Sequence, residues 1–202
     1  MTYAIIGFGK IGQALAKAFA RSGIEVSVAT TRDPESFASE AAAIGPRIIP
    51  KTLTDAIKAD VIFLAVRFEA HPDVAKALSD WKGKIIVDVT NAYGVPLEML
   101  GDQPSARVIA NAFAGGKVVK GFNHLVAGVL EQDPDIHGGK RVVFLASDDE
   151  DASKQIGTLA ENLGFAPINL GRLSEGGLLV QARGNTWGRL IFQDLIKLDD
   201  KP

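Results

Sequence analysis

A strand that breaks into G-x-G-x-x-G and re-forms as a helix constrains this chain more than any other feature. Tyr3-Ala4-Ile5-Ile6 is a short apolar strand, Gly7-Phe8-Gly9-Lys10-Ile11-Gly12 is the turn, and Gln13-Ala14-Leu15-Ala16-Lys17-Ala18-Phe19-Ala20 has helix-forming composition. Each glycine answers a separate steric demand: Gly7 the tight turn, Gly9 the approach of backbone to a pyrophosphate, and Gly12 the close packing of helix on strand. The helix then offers unpaired N–H groups and a partial positive charge to phosphate oxygens. Glycine turns alone are common. The strand before and the helix after are what favour a dinucleotide site at Gly7, Phe8, Gly9, Lys10, Ile11 and Gly12 over a purely structural turn.

The 202 residues suit one domain with an appendage. A formal net charge of -2 gives no field that would draw in nucleic acid or an anionic membrane. The absence of cysteine removes disulfides, thiol nucleophiles and thiolate metal sites, and fits a reducing compartment. Apolar runs such as Val61-Ile62-Phe63-Leu64-Ala65-Val66 have strand length, far short of a membrane span. No charged-then-apolar leader precedes Tyr3. These observations predict a soluble, cytoplasmic protein with a small-molecule partner.

Further along, strands and helices alternate. Strands are expected at 24–29, 47–49, 61–66, 84–89, 117–122, 141–146 and 166–170. Helices are expected from Asp33 as N-cap to Gly45, over 53–58, from His71 to near Trp81-Lys82-Gly83, and over 105–113, where Ala106, Ile109, Ala110 and Phe113 share one face. The acidic cluster at 148–151 reads as the start of a helix closed by Gly164 rather than as a metal site. This rhythm predicts an α/β fold with a doubly wound, mostly parallel sheet. The rhythm stops at Gly171, so residues 1–170 form the dinucleotide-binding domain. Residues 171–202 form a small C-terminal segment that helps shape the substrate pocket and a dimer contact. A terminal helix is expected over 185–198, its face carrying Trp187, Leu190, Ile191, Leu195 and Leu198.

The end of the second strand meets the adenosine ribose in such a fold. An NAD site places Asp or Glu there, about 20 residues past the fingerprint. This chain has Ala29-Thr30-Thr31-Arg32 instead. Two hydroxyls and a guanidinium suit a 2′-phosphate, which makes Thr30, Thr31 and Arg32 candidate NADP-selecting residues. At the carboxyl ends of later strands, Ala65, Val66, Arg67, Asn91 and Asn123 are candidates for the nicotinamide and its substrate, although each Asn could equally satisfy loop backbone. His124 is the one histidine expected at this crevice and a possible proton donor. His71 is assigned to a helix start and His137 to a turn.

Gly7–Gly12, Leu64-Ala65-Val66, the run from Gly83 through Val87-Asp88-Val89-Thr90-Asn91, and Val118-Val119-Lys120-Gly121-Phe122-Asn123 together resemble the NADP oxidoreductase, coenzyme F-420-dependent family. The segments around Gly164-Phe165-Ala166-Pro167, Gly171 and Leu173 continue the similarity. The reductase domain of the six-transmembrane metalloreductases is similar too. The resemblance implies NADP in a Rossmann domain, homodimers, and hydride transfer between nicotinamide and a deazaflavin. Two departures border the substrate pocket. Arg67-Phe68 stands where family members commonly have proline, and Ala92-Tyr93-Gly94 follows Thr90-Asn91. The acceptor could therefore be coenzyme F-420, a flavin, a quinone or a ferric chelate. Hydroxyacid dehydrogenases and pyrroline carboxylate reductase need a long helical C-terminal domain, for which the roughly 30 residues after Gly171 are too few. An NADPH-binding sensor without turnover is the reading from another class.

Overall fold

The computed structural model of the chain describes residues 1–101, 103–136, 138–182 and 194–195. In chain order the strands are β1 (Tyr3–Ile6), β2 (Val26–Ala29), β3 (Ile48–Pro50), β4 (Val61–Leu64), β5 (Ile85–Asp88), β6 (Lys117–Gly121), β7 (Asp135–Ile136), β8 (Gly139–Ser147), β9 (Ala166–Asn169) and β10 (Asp194–Leu195). The helices are α1 (Lys10–Arg21), α2 (Ala38–Ile44), α3 (Leu53–Ala56), α4 (His71–Ala75), α5 (Ser105–Ala112), α6 (Ala127–Leu130), α7 (Glu150–Asn162) and α8 (Gly176–Val180). The first six strands pair in parallel in the order β3-β2-β1-β4-β5-β6, and β8 then joins β6 antiparallel, with β9 parallel to β8. This is the doubly wound, mostly parallel α/β sheet expected. Strand order reverses between β1 and β4, which opens a crevice at their carboxyl ends.

Alternation along the strands divides the core into two layers. Ile5, Val61, Phe63, Val87 and Val119 face one layer with Leu15, Phe19 and Ile156. Ala4, Ile6, Ile62, Leu64, Ile86 and Val118 face the other with Trp81, Ile109 and Phe113. Successive side chains point to opposite sides of a strand, so a strand covered on both faces is apolar throughout. On the first face, ring contacts of 5.5–5.8 Å link Tyr3 to Phe19, Phe19 to Phe63, Phe63 to Phe122, and Phe122 to Phe165.

Several boundaries differ from expectation for local reasons. The helix from His71 ends at Ala75, because the buried indole of Trp81 donates to the Ala75 carbonyl at 3.0 Å and takes over its last turn. Asp33 stands before a 3-10 turn (Pro34–Phe37) that precedes α2, and its side chain makes no capping hydrogen bond; Ser36 bonds its carbonyl instead. Asp149 does cap α7, accepting from the Ala152 N–H at 2.8 Å, which fits the helix-start reading of the acidic cluster. The expected helix over 185–198, with Trp187 and Leu190, lies mostly outside the described residues. Its two described members, Asp194 and Leu195, form β10 and pair antiparallel with Arg141 and Lys140, so no continuous helix crosses them.

Two described edge strands carry proline: Pro50 on β3 and Pro167 on β9. On β3 the Lys51 N–H points inward to the Val28 carbonyl, so those of 48 and 50 point outward. The Ile48 N–H is taken by the Gly45 carbonyl, and Pro50 has none.

Candidate functional site

The glycine turn is built by three different constraints. Gly7 has φ +101°, and a Cβ there would lie 2.4 Å from the Ala65 carbonyl oxygen, where β1 and β4 separate. A Cβ on Gly12 would fall 2.0 Å from the Gly7 oxygen. Both glycines are required by the protein itself. Gly9 is not, since a Cβ there would meet no protein atom within 4 Å. Gly9 forms the N-cap of α1 without a side-chain cap, and the first turn holds no acidic residue. Gly9, Lys10 and Ile11 line a cleft, so the start of α1 borders open space with the helix dipole behind it. An uncrowded glycine beside free helix donors is a cradle that fits a pyrophosphate.

A cleft of about 860 Å³ opens beside this turn, at the ends of β1, β4 and β5. Of the residues expected at the site, Gly9, Lys10, Ile11, Ala65, Val66, Arg67 and Asn91 line it. Phe68, Glu69, Asp73, Thr90 and Tyr93 are among the other residues of its walls. The volume is within the range of small-molecule sites. Arg67 precedes a one-turn 3-10 helix (Phe68–Ala70), which places its exposed side chain on the rim.

Phe8 is buried against Phe37, ring centroids 5.7 Å apart, and so anchors the turn from within. Thr30, Thr31 and Arg32 lie past β2, outside the cleft lining. The Thr30 hydroxyl accepts from the Arg32 N–H at 2.9 Å. The Arg32 guanidinium sits over the Phe37 ring and 3.6 Å from Glu40, both charged side chains half exposed. Arg32 is thus held at the end of β2, but with a carboxylate already nearby.

Asn91 and Asn123 meet. The Asn91 amide donates to the Asn123 carbonyl at 2.8 Å, and the Asn123 amide donates to Asn91 Oδ1 at 3.0 Å and to the Val180 carbonyl at 2.8 Å. Asn123 Oδ1 is buried without a hydrogen-bond partner. Beneath the pair lies a salt bridge that sequence reading missed. Asp88 and Lys120 are register partners at the ends of β5 and β6, 3.1 Å apart and almost fully buried. Burial pushes the Lys120 ammonium below its usual range, and Asp88 beside it pulls partly back. The signal that could have revealed the pair is a charged residue near the carboxyl end of each strand, Asp88 after Ile85-Ile86-Val87 and Lys120 after Val118-Val119, each following an apolar run.

His124 does not reach the crevice. Phe122, at φ +61°, turns the chain, and His124 is buried against Phe144 with Nε2 donating to the Val142 carbonyl at 3.1 Å. Burial lowers its pKa to about 4, so the ring is neutral at pH 7 and is not a proton donor to the cleft. His71 opens α4 as expected, and His137 lies outside the described residues. The C-terminal segment reaches the site's underside: Val180 accepts from Asn123, and Gln181 Oε1 caps α5 by accepting from the Ser105 N–H at 2.6 Å. Among the described residues, no helix is long and apolar enough to cross a membrane.

Three comparisons place this architecture. The chain is 31% identical over 176 residues to Metalloreductase STEAP2 of Mus musculus, a match covering 86% of this chain and 34% of that protein. It thus spans about a third of the length of the curated relatives it matches. A hypothetical protein of Sinorhizobium meliloti, solved by crystallography, is 39% identical with a TM-score of 0.88, covering 98% of this chain and 96% of that one. A candidate F420-dependent NADP-reductase from Arthrobacter sp. FB24 is 26% identical with a TM-score of 0.69, covering 86% of each chain. Residues 2–92 match the family model described as NADP oxidoreductase coenzyme F420-dependent, the stretch that builds the glycine turn, the cleft wall and the Thr90-Asn91 loop. Over that stretch, somewhat less than half of the chain, the protein is similar to the NADP oxidoreductases of the coenzyme F420-dependent family.

Proposed function

We propose that this chain is an NADPH-dependent reductase that delivers hydride to a flat redox acceptor, with a deazaflavin or flavin first in order. The observation that carries the reading is the uncrowded Gly9 cradle opening directly onto the cleft at the strand-order reversal. When bound, the dinucleotide supplies the hydride. The chain supplies position. The N–H groups of the α1 first turn would hold the pyrophosphate, and Thr30, Thr31 and Arg32 the 2′-phosphate. Ala65, Val66 and Asn91 would border the nicotinamide. Arg67, on the rim, would hold an anionic part of the acceptor, and Asn123 acts from behind through Asn91. Transfer between two stacked rings depends on their approach and orientation, so a cleft without His124 is no obstacle.

The family description and the Arthrobacter relative support a deazaflavin acceptor. The metalloreductase likeness favours a second reading, in which the same reduced site serves a ferric chelate, directly or through a flavin. Homodimer formation through the C-terminal segment remains part of the proposal. Its first support, an apolar helix at 185–198, no longer stands in that form because Asp194 and Leu195 are paired as strand.

The test is rapid mixing of NADPH-loaded protein with F420, riboflavin, its nucleotides, a quinone and a ferric chelate, following NADPH oxidation. Oxidation by F420 or a flavin supports the leading reading, and oxidation by the chelate alone supports the second. Tight NADPH binding with no oxidation by any of them leaves a sensor. Arg67→Ala should raise the acceptor's KM and leave NADPH affinity unchanged; weakened NADPH binding instead moves Arg67 to the cofactor.

A further inference from the structure

The ladder between β5 and β6 ends at the Asp88–Lys120 register pair, just where the chain must turn into the cleft. Beyond that point the pair replaces ladder bonds. Asp88 Oδ1 accepts from the Thr90 N–H at 2.9 Å and from the Thr90 hydroxyl at 2.7 Å. The Lys120 ammonium donates to the Thr90 carbonyl and to Asp88 Oδ2. Thr90 is thereby gripped at its N–H, its hydroxyl and its carbonyl. The next residue is Asn91, whose carboxamide lines the cleft and pairs reciprocally with Asn123.

We propose that Asp88 and Lys120 are positioning residues of the cleft, a buried latch that acts through Thr90 to set the stance of Asn91 toward the bound ring. The identity of that ring rests on the reductase reading; the latch does not. A buried ion pair is a poor investment in stability alone, since well-packed apolar residues of similar size often do as well or better. Its use here is geometric. Two strands that separate need a fixed exit direction, and a bond network provides it where the ladder cannot.

The test uses the full chain carrying Asp88→Asn with Lys120→Met, which removes both charges while keeping an acceptor for Thr90. Circular dichroism should show a folded protein, and NADPH affinity should stay within about threefold, because the α1 cradle is untouched. Amides at 89–93 should exchange at least about tenfold faster than in wild type, and the emission of bound NADPH should move toward that of the free cofactor. Wild-type exchange rates, or wild-type emission of bound NADPH, would overturn the inference. If the double variant does not fold, Thr90→Val removes only the hydroxyl grip; exchange at 91–93 should then rise about threefold, and unchanged exchange overturns the latch. If the wild-type protein itself does not bind NADPH, the reductase reading falls and the exchange measurement alone decides the latch.

Discussion

The two halves of the molecule keep polar groups out of the core to very different degrees. Up to β5 the buried residues are almost all apolar, with Ser27 and His71 the buried polar exceptions among the described residues. From Asp88 onward the core takes in Asp88, Thr90, Ser105, Lys120, Asn123, His124, Arg141, Ser147, Ser153 and Gln181. The first half is held by area removed from water, which is tolerant and additive. The second adds to that area a set of specific polar contacts, such as Asp88 with Lys120 and Asn91 with Asn123, whose loss is costly. The family match ends at residue 92, close to this change of character.

The contrast breaks if Lys120→Met proves harmless. Removing the ammonium leaves the buried Asp88 side chain without its counter-ion, held only by Thr90, and the expected loss is about 3–5 kcal/mol, read by urea denaturation. A loss below about 1 kcal/mol would mean that water or a neighbour compensates and that the second half is less partner-dependent than its geometry implies.

His124 sharpens the same contrast by titration. Its folded pKa of about 4 lies below the unfolded value of 6.5. The folded state therefore binds fewer protons as pH falls from 6.5 toward 4, and stability is lost across that window, then levels off. The shift corresponds to about 3 kcal/mol. Comparing wild type with His124→Asn at pH 7 and pH 4.5 isolates the contribution, since the variant should lack most of that slope.

In the first half, Gly12→Ala and Gly9→Ala separate fold from ligand. The Gly12 Cβ would collide with the Gly7 backbone, and overpacking of this kind costs about 1–3 kcal/mol. The Gly9 Cβ meets nothing, so thermal stability should barely change while NADPH affinity drops about tenfold. Equal affinity in wild type and Gly9→Ala would remove the cradle from the site.

The smallest effect is expected at Arg32. Half exposed and 3.6 Å from Glu40, it should contribute about 1 kcal/mol to NADPH binding and nothing to NADH binding. Calorimetry on Arg32→Ala checks this, and equal losses for both cofactors overturn the 2′-phosphate assignment.

The same division decides what could be read in advance. The β1 turn, the apolar runs of β4, β5 and β8, and the face of α5 all announce themselves through short-range pattern. The cleft walls at Ala65, Val66, Arg67 and Asn91 follow from strand ends in a known topology. Local pattern shows that Asp88 and Lys120 each follow an apolar run, but their partnership depends on the register of two strands separated by a helix. The place of His124 depends on Phe122 adopting positive φ, a conformation that a bulky residue does not advertise. Trp81 ends α4 from six residues away, a tertiary contact overriding helix propensity.

The prolines at the margins of the sheet bear on how copies of this chain can meet. An edge strand with free N–H groups is a template on which another chain can continue the ladder, the first step of cross-β growth. On β3 that template is blank, because the outward donors are a proline and an N–H already spent on Gly45. On β9, Pro167 interrupts it. Extending the ladder outward from β3 is therefore disfavoured. Contact between copies at that edge falls to side chains, which discriminate partners as backbone does not.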